Sequence, residues 1–217
     1  MIYPGVLDYK IEIGGAPDPS SITYDTPGDY VFTVPAGITS IIVECWGGGG
    51  GSESIGTNSN IIMSAGAAGG AYARKTISVS PGEEYPLTVG AGGNYVATGT
   101  GQGGDTFFNT NVVLAKGGNR STATAYSAGP NGTTTGSIGD IVYAGGNGGS
   151  GYNIVSSTRF SGGGGSGAGS TGNGNNGSNY LSGLGGAAKE AFGGKGGDGH
   201  YNIKGDDGAP FGGAGLS

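Results

Sequence analysis

The first half of the chain alternates apolar and polar positions in short runs with the two-residue period of half-buried strands. Asp29-Tyr30-Val31-Phe32-Thr33-Val34 and Thr39-Ser40-Ile41-Ile42-Val43-Glu44-Cys45-Trp46 are the clearest pair, and Pro35-Ala36-Gly37 between them makes them read as a hairpin. Two further strands flank Pro81-Gly82, over 71–80 and 84–89, and Val112-Val113-Leu114-Ala115 makes a fifth. β-branched and aromatic residues dominate all five, as suits side chains packed on a pleated surface. Residues 28–118 therefore predict a small antiparallel β domain. Ahead of it, residues 1–27 carry Pro4, Pro17, Pro19 and Pro27 and one alternating run, Tyr9-Lys10-Ile11-Glu12-Ile13. That composition reads as an N-terminal arm or attachment segment holding one short strand.

Over residues 119–217 alternation gives way to bursts of glycine with a spacing of three, as in Gly145-Gly146, Gly148-Gly149 and Gly151, and again in Gly193-Gly194, Gly196-Gly197 and Gly199. A polyproline II helix has about three residues per turn and no internal hydrogen bonds, so its backbone groups need partners on neighbouring chains. Glycine removes the side chains that would hold such neighbours apart. The expected fold class is mainly β: the small antiparallel domain plus a glycine-rich polyproline II helix bundle with connecting loops. Gly146, Gly149, Gly194 and Gly197 are expected inside the bundle. Residues 119–135, 152–160, 170–184 and 200–207 are expected as its turns.

Composition tests whether such a chain folds at all. With 55 glycines and 9 prolines among 217 residues it falls in a range typical of disorder. Against that stand 12 Tyr, 6 Phe, one Trp and a charged fraction of only 11%, where disordered chains are charge-rich and poor in aromatics. Collagen is excluded, because the glycines keep no long triplet register and proline is scarce. A net charge of −6 with nine scattered Lys and Arg argues against nucleic acid or an anionic membrane as partner. Met1-Ile2-Tyr3-Pro4 opens no charged and apolar leader, so synthesis in the cytoplasm without membrane insertion is expected. Cys45 is the sole cysteine and sits in an apolar run, which marks it as a small buried hydrophobe.

Candidate chemistry is sparse. His200 is the sole histidine, and a nucleophilic arrangement would have to join it to the distant Cys45. The glycine strings lack the Gly-Lys-Ser/Thr ending of a phosphate-binding loop. Asp198, Asp206 and Asp207 offer clustered oxygens for a hard cation, but turn chemistry explains them equally. The expectation is a protein that is not an enzyme, with no cofactor and no metal. Tyr30, Phe32, Trp46, Tyr72, Tyr85, Phe107 and Phe108 fall in predicted strands and read as core. Tyr95, Tyr126, Tyr152, Phe160, Tyr180 and Tyr201 fall between glycine bursts, where they serve either recognition or packing, under the loops or against a second subunit. Asn175 and Asn176, with Asn58, Asn60, Asn173 and Asn179, are either hydrogen-bonding partners for a glycan or ordinary turn residues.

An opening string and five ordered blocks after it carry a family resemblance. The string from Pro27-Gly28-Asp29-Tyr30 through Pro35-Ala36-Gly37 to Val43-Glu44-Cys45-Trp46 and the glycines from 47 opens it. Gly69-Gly70-Ala71-Tyr72-Ala73, Ile77-Ser78-Val79-Ser80-Pro81-Gly82, Leu87-Thr88-Val89-Gly90-Ala91-Gly92-Gly93 and Gly103-Gly104-Asp105-Thr106-Phe107 follow, then Leu114-Ala115-Lys116-Gly117-Gly118. Together they resemble the glycine-rich domain of bacteriophage tail-fibre and adhesin proteins. The resemblance implies a virion structural protein whose rigid glycine scaffold presents loops to a host-surface protein or polysaccharide. It implies attachment to other virion proteins through the arm, and homotrimers are common among fibre parts, although no heptads announce one here. A capsid decoration or head fibre is the alternative, and a glycine-rich ice-binding or surface protein a third.

Overall fold

Ile41, Val43 and Cys45 alternate along one strand and are fully buried, so the two-residue period does mark a core face. The computed structural model describes residues 10–13, 20–52, 65–94, 101–121, 129–154, 158–179, 186–187 and 195–196. Within them lie β1 (Lys10–Ile13), β2 (Ser20–Ile22), β3 (Gly28–Thr33), β4 (Ser40–Trp46), β5 (Tyr72–Ser78), β6 (Glu84–Val89), β7 (Thr106–Phe108), β8 (Val113–Ala115), β9 (Ile141–Tyr143), β10 (Tyr152–Ile154) and β11 (Thr158–Phe160). The described residues contain no helix. The protein is mainly β, with two antiparallel sheets, β2-β1-β4-β5-β9 and β3-β6-β7-β8, and a separate β10-β11 hairpin.

The expected hairpin across Pro35-Ala36-Gly37 does not form. β3 pairs with β6, from Gly28↔Val89 to Thr33↔Glu84, while β4 pairs with β5, from Ser40↔Ser78 to Trp46↔Tyr72. The strands flanking Pro81-Gly82 likewise lie in different sheets. Both turns are real: Ile38 N–H donates to the Pro35 carbonyl and Glu83 N–H to the Ser80 carbonyl, each with a glycine of φ +82° at the third position. They carry the chain from one sheet to the other and back. They also hold each other, since Val34 N–H donates to Glu83 O, Gly82 N–H to Val34 O and Val79 N–H to Thr39 O. The reason is burial. Phe32 and Val34 need cover as much as Ile41 and Val43 do, and stacking two sheets face to face buries both sets. Phe32, Tyr85, Leu87, Phe108 and Val113 of the second sheet join Ile41, Val43, Cys45 and Trp46 of the first in one core.

Segments outside 28–118 complete the first sheet. β9 pairs with β5, from Tyr72↔Tyr143 to Arg74↔Ile141, and β1 of the expected arm lies between β4 and β2.

Beyond the strand ends the glycine-rich chain continues as extended segments joined by backbone hydrogen bonds that recur every three residues. Gly47 and Gly50 N–H donate to the Ala71 and Ala68 carbonyls, and Gly66 and Gly69 N–H to those of Gly149 and Gly146. Gly165 and Ala168 N–H donate to Ala67 and Gly70 in a parallel pairing, and Gly163 and Ser166 N–H to Ser178 and Asn175 in an antiparallel one. Glycine is required at these contacts. A Cβ at Gly146 would fall on the Asn175 carbonyl, and one at Gly149 on the Ser178 carbonyl, both well inside 3.0 Å. Among the larger residues that fit are Ala65, Ala67, Ala68 and Ala168, all fully buried. The array also takes in chain expected as turns. Within 170–184, residues 173–179 are an array segment, and within 119–135 Gly129 and Gly132 pack on the carbonyls of Gly148 and Gly145. Polar side chains, not glycines alone, satisfy the backbone there.

Candidate functional site

The hydrogen-bond pairings fix which way each segment runs. Segments 47–52, 90–94, 116–121, 144–150 and 173–179 leave the sheets or a sheet-side turn and run one way, and 65–71, 101–105, 129–132 and 161–168 return. Gly51 N–H donates to Gly101 O and Ser121 N–H to Gly51 O, so these three lie in one row. Gly66, Gly149, Gly163 and Ser178 form a second row through Gly66 N–H to Gly149 O, Gly149 N–H to Gly163 O and Gly163 N–H to Ser178 O. The chain positions Ser52 and Ala65, Asn94 and Gly101, Ser121 and Gly129, and Gly151 and Ser161 fall at the same end, as does Asn179. The described residues that flank four connections thus meet at one end, opposite the sheets. The sheet-side end carries closed turns instead, Thr134–Ser137 and the Gly169↔Gly172 bridge.

The β10–β11 hairpin is one of these connections, with Tyr152 directly opposite Phe160 in its register. Tyr95, Tyr126 and Tyr180 lie outside the described residues, as do Tyr201, Gly194, Gly197, Asn58, Asn60, His200, Asp198, Asp206 and Asp207.

Asn175 and Asn176 are in the array itself. Asn175 donates from Nδ2 to Ala187 O at 2.9 Å, and its own carbonyl accepts from Ser166 N–H at 2.9 Å. Asn176 belongs to a ladder missed in the sequence. Oδ1 of Asn173, Asn176 and Asn179 accepts from the N–H of Ala144, Asn147 and Ser150, each at 2.9 Å. The signal was present as asparagine at a spacing of three with glycine between, Asn173-Gly174 and Asn176-Gly177. These side-chain carbonyls stand in for backbone acceptors between two parallel segments.

Charged groups act as braces. Lys116 pairs with Asp105, whose other oxygen accepts from Gly117 N–H at 2.9 Å where the array meets the second sheet. The Tyr72 hydroxyl, fully buried, donates to the Glu44 carboxylate. The Tyr85 hydroxyl donates to Glu83 Oε2 at 2.7 Å; this bond, with burial and the Glu83 charge adding to it, pushes the phenol up to about 12. Burial, and next the Glu44 charge, raise the Cys45 thiol well above the ordinary range, so it stays protonated inside the core. Among the described residues no three His, Cys, Asp or Glu side chains converge as metal ligands. No described helix is long and apolar enough to cross a membrane.

Residues 24–217 match the family described as glycine-rich domain. No curated protein matches the chain.

Proposed function

The chain belongs to the glycine-rich domain family, and we propose on that premise that it is a virion structural protein, a phage tail-fibre or tip adhesin. In this reading the period-three array is a bundle of polyproline II helices, whose repeat of about three residues matches the spacing of the interchain bonds. The bundle is a rigid stalk. Its connections bind a receptor protein or polysaccharide on the host surface, and residues 1–27 attach the chain to other virion proteins. The gathering at one end of the residues that flank four connections supports this reading, because scaffolds that recognise a partner concentrate variable loops on one face of a stiff framework. Aromatic residues at that end suit sugars and protein surfaces alike, since they bury area for little rotamer entropy.

The test has two arms. Immunogold with an antibody against this chain is applied to particles from the source culture, and purified chain is added to host cells before the particles. Gold at the tail or fibre end together with blocked adsorption is the expected result. Gold over the capsid with adsorption unchanged would make the protein a capsid decoration or head fibre, and unlabelled particles would end the virion reading.

A further inference from the structure

The sequence contains four Asn-Gly dipeptides, Asn131-Gly132, Asn147-Gly148, Asn173-Gly174 and Asn176-Gly177, and all four lie in the glycine array. Asn-Gly is the dipeptide most prone to spontaneous deamidation, because glycine leaves the following backbone nitrogen open to attack its neighbour. In that reaction the glycine nitrogen gives up its proton and bonds to the asparagine Cγ. The bond from Cγ to the side-chain nitrogen breaks, ammonia leaves, and a five-membered succinimide remains. Water then opens the ring at one carbonyl or the other, giving aspartate or isoaspartate. Two things prevent the step: a glycine N–H held in another hydrogen bond, and an asparagine amide held away from it.

At three positions the array imposes both. Gly148 N–H donates to Pro130 O at 3.0 Å, Gly174 N–H to Ala144 O at 2.9 Å and Gly177 N–H to Asn147 O at 2.9 Å. The preceding asparagine is pinned as well, since Asn147 Oδ1 accepts from Gly132 N–H at 2.8 Å, Asn173 Oδ1 from Ala144 N–H and Asn176 Oδ1 from Asn147 N–H. Asn131 differs. Its backbone carbonyl accepts from Asn119 Nδ2 at 3.0 Å, but among the described residues its side-chain amide, which is exposed, takes no part in a ladder. Gly132 N–H is held only by the Asn147 side chain.

We propose that Asn131 is a spontaneous modification site, and that the folded array directs deamidation to Asn131-Gly132 while protecting the three laddered Asn-Gly bonds. Reaction at a laddered site requires the array to open locally, whereas at Asn131-Gly132 the hydrogen bonds to release are those of two side chains, Asn119 and Asn147. The product matters because isoaspartate adds a methylene to the backbone and breaks the three-residue register. At Asn131 that damage falls on a short outer segment.

The test is peptide mapping by mass spectrometry of the full chain, held folded or in urea in mildly alkaline buffer and sampled over time. Folded, Asn131 should convert at least about tenfold faster than Asn147, Asn173 or Asn176, the factor given by an opening cost of only ~1.4 kcal/mol. In urea the four rates should converge. Equal rates at the four sites in the folded chain, or an Asn131 that survives as long as the others, would overturn the proposal. Asn147→Ala frees the Gly132 N–H, so it should speed conversion at Asn131 in protein that circular dichroism shows to be folded. Should that variant not fold, the comparison within the unaltered chain still decides.

Discussion

Gly146 and Gly149 have room for a hydrogen and for nothing larger, because the atoms facing them are backbone carbonyls that belong to other contacts. A flexible side-chain end would yield; a carbonyl fixed by its own hydrogen bonds does not. Gly146→Val and Gly149→Val should each cost about 3 kcal/mol or more, at or beyond the upper end of ordinary overpacking. Gly92 supplies the control, since a Cβ there meets only the Gly49 carbonyl at 4.0 Å. Gly92→Ala should stay within about 0.5 kcal/mol of the parent, like other uncrowded surface changes. Urea unfolding of the three variants checks this, and equal midpoints for all three would remove glycine packing as the basis of the array. A spacing of three singles out these two glycines in the sequence. What spacing does not reveal is the partner, because a glycine carries no side chain to complement one neighbour over another.

At the scale of the element, the asparagine ladder shows a polar side chain acting as part of the backbone. Asn173, Asn176 and Asn179 bond a parallel segment, and each supplies an acceptor at the level where that segment presents an N–H. Replacement by alanine leaves that donor to water and should cost about 0.5–1.5 kcal/mol per site, the usual net worth of one hydrogen bond. Asn176→Asp retains an oxygen in the same place and should recover most of the loss measured for Asn176→Ala. Thermal melts of the pair decide: equal losses would mean that Nδ2, not Oδ1, is what the array uses at 176. The strands were easier to read than their pairing. β3, β4, β5, β6 and β8 follow from alternation and β-branched composition, since both are local properties. Pairing is not local, and the turns at Pro35 and Pro81 look the same in sequence whether the flanking strands share a sheet or face each other across a core. β9 escaped notice for a related reason. It is three residues long, and its place beside β5 is set by Tyr143 opposite Tyr72, a partner some seventy positions away in the sequence.

At the scale of the whole molecule, pairing and packing tie the two halves of the chain together. β9 closes an edge of the first sheet, Ala168 belongs to the same core as Phe32 and Val43, and Gly66 and Gly69 bond Gly149 and Gly146. Each ordered glycine carries about 0.5–1 kcal/mol more entropic cost than alanine would, so an array segment has little stability without its neighbours. These features together argue for one cooperative unit. Calorimetry should then give a single transition in which calorimetric and van't Hoff enthalpies agree, as for two-state domains. The sequence instead suggests a boundary near residue 118, where alternation ends and glycine bursts begin, and a chain divided there would melt in two steps. A fragment of residues 28–118 separates the cases further. It would lack β9 and the carbonyls that Gly66 and Gly69 donate to, and should be unfolded at temperatures where the full chain is native. A fragment with the melting temperature of the intact protein would show that composition had marked a true division, and that the glycine array from 119 onward folds onto a sheet domain already complete.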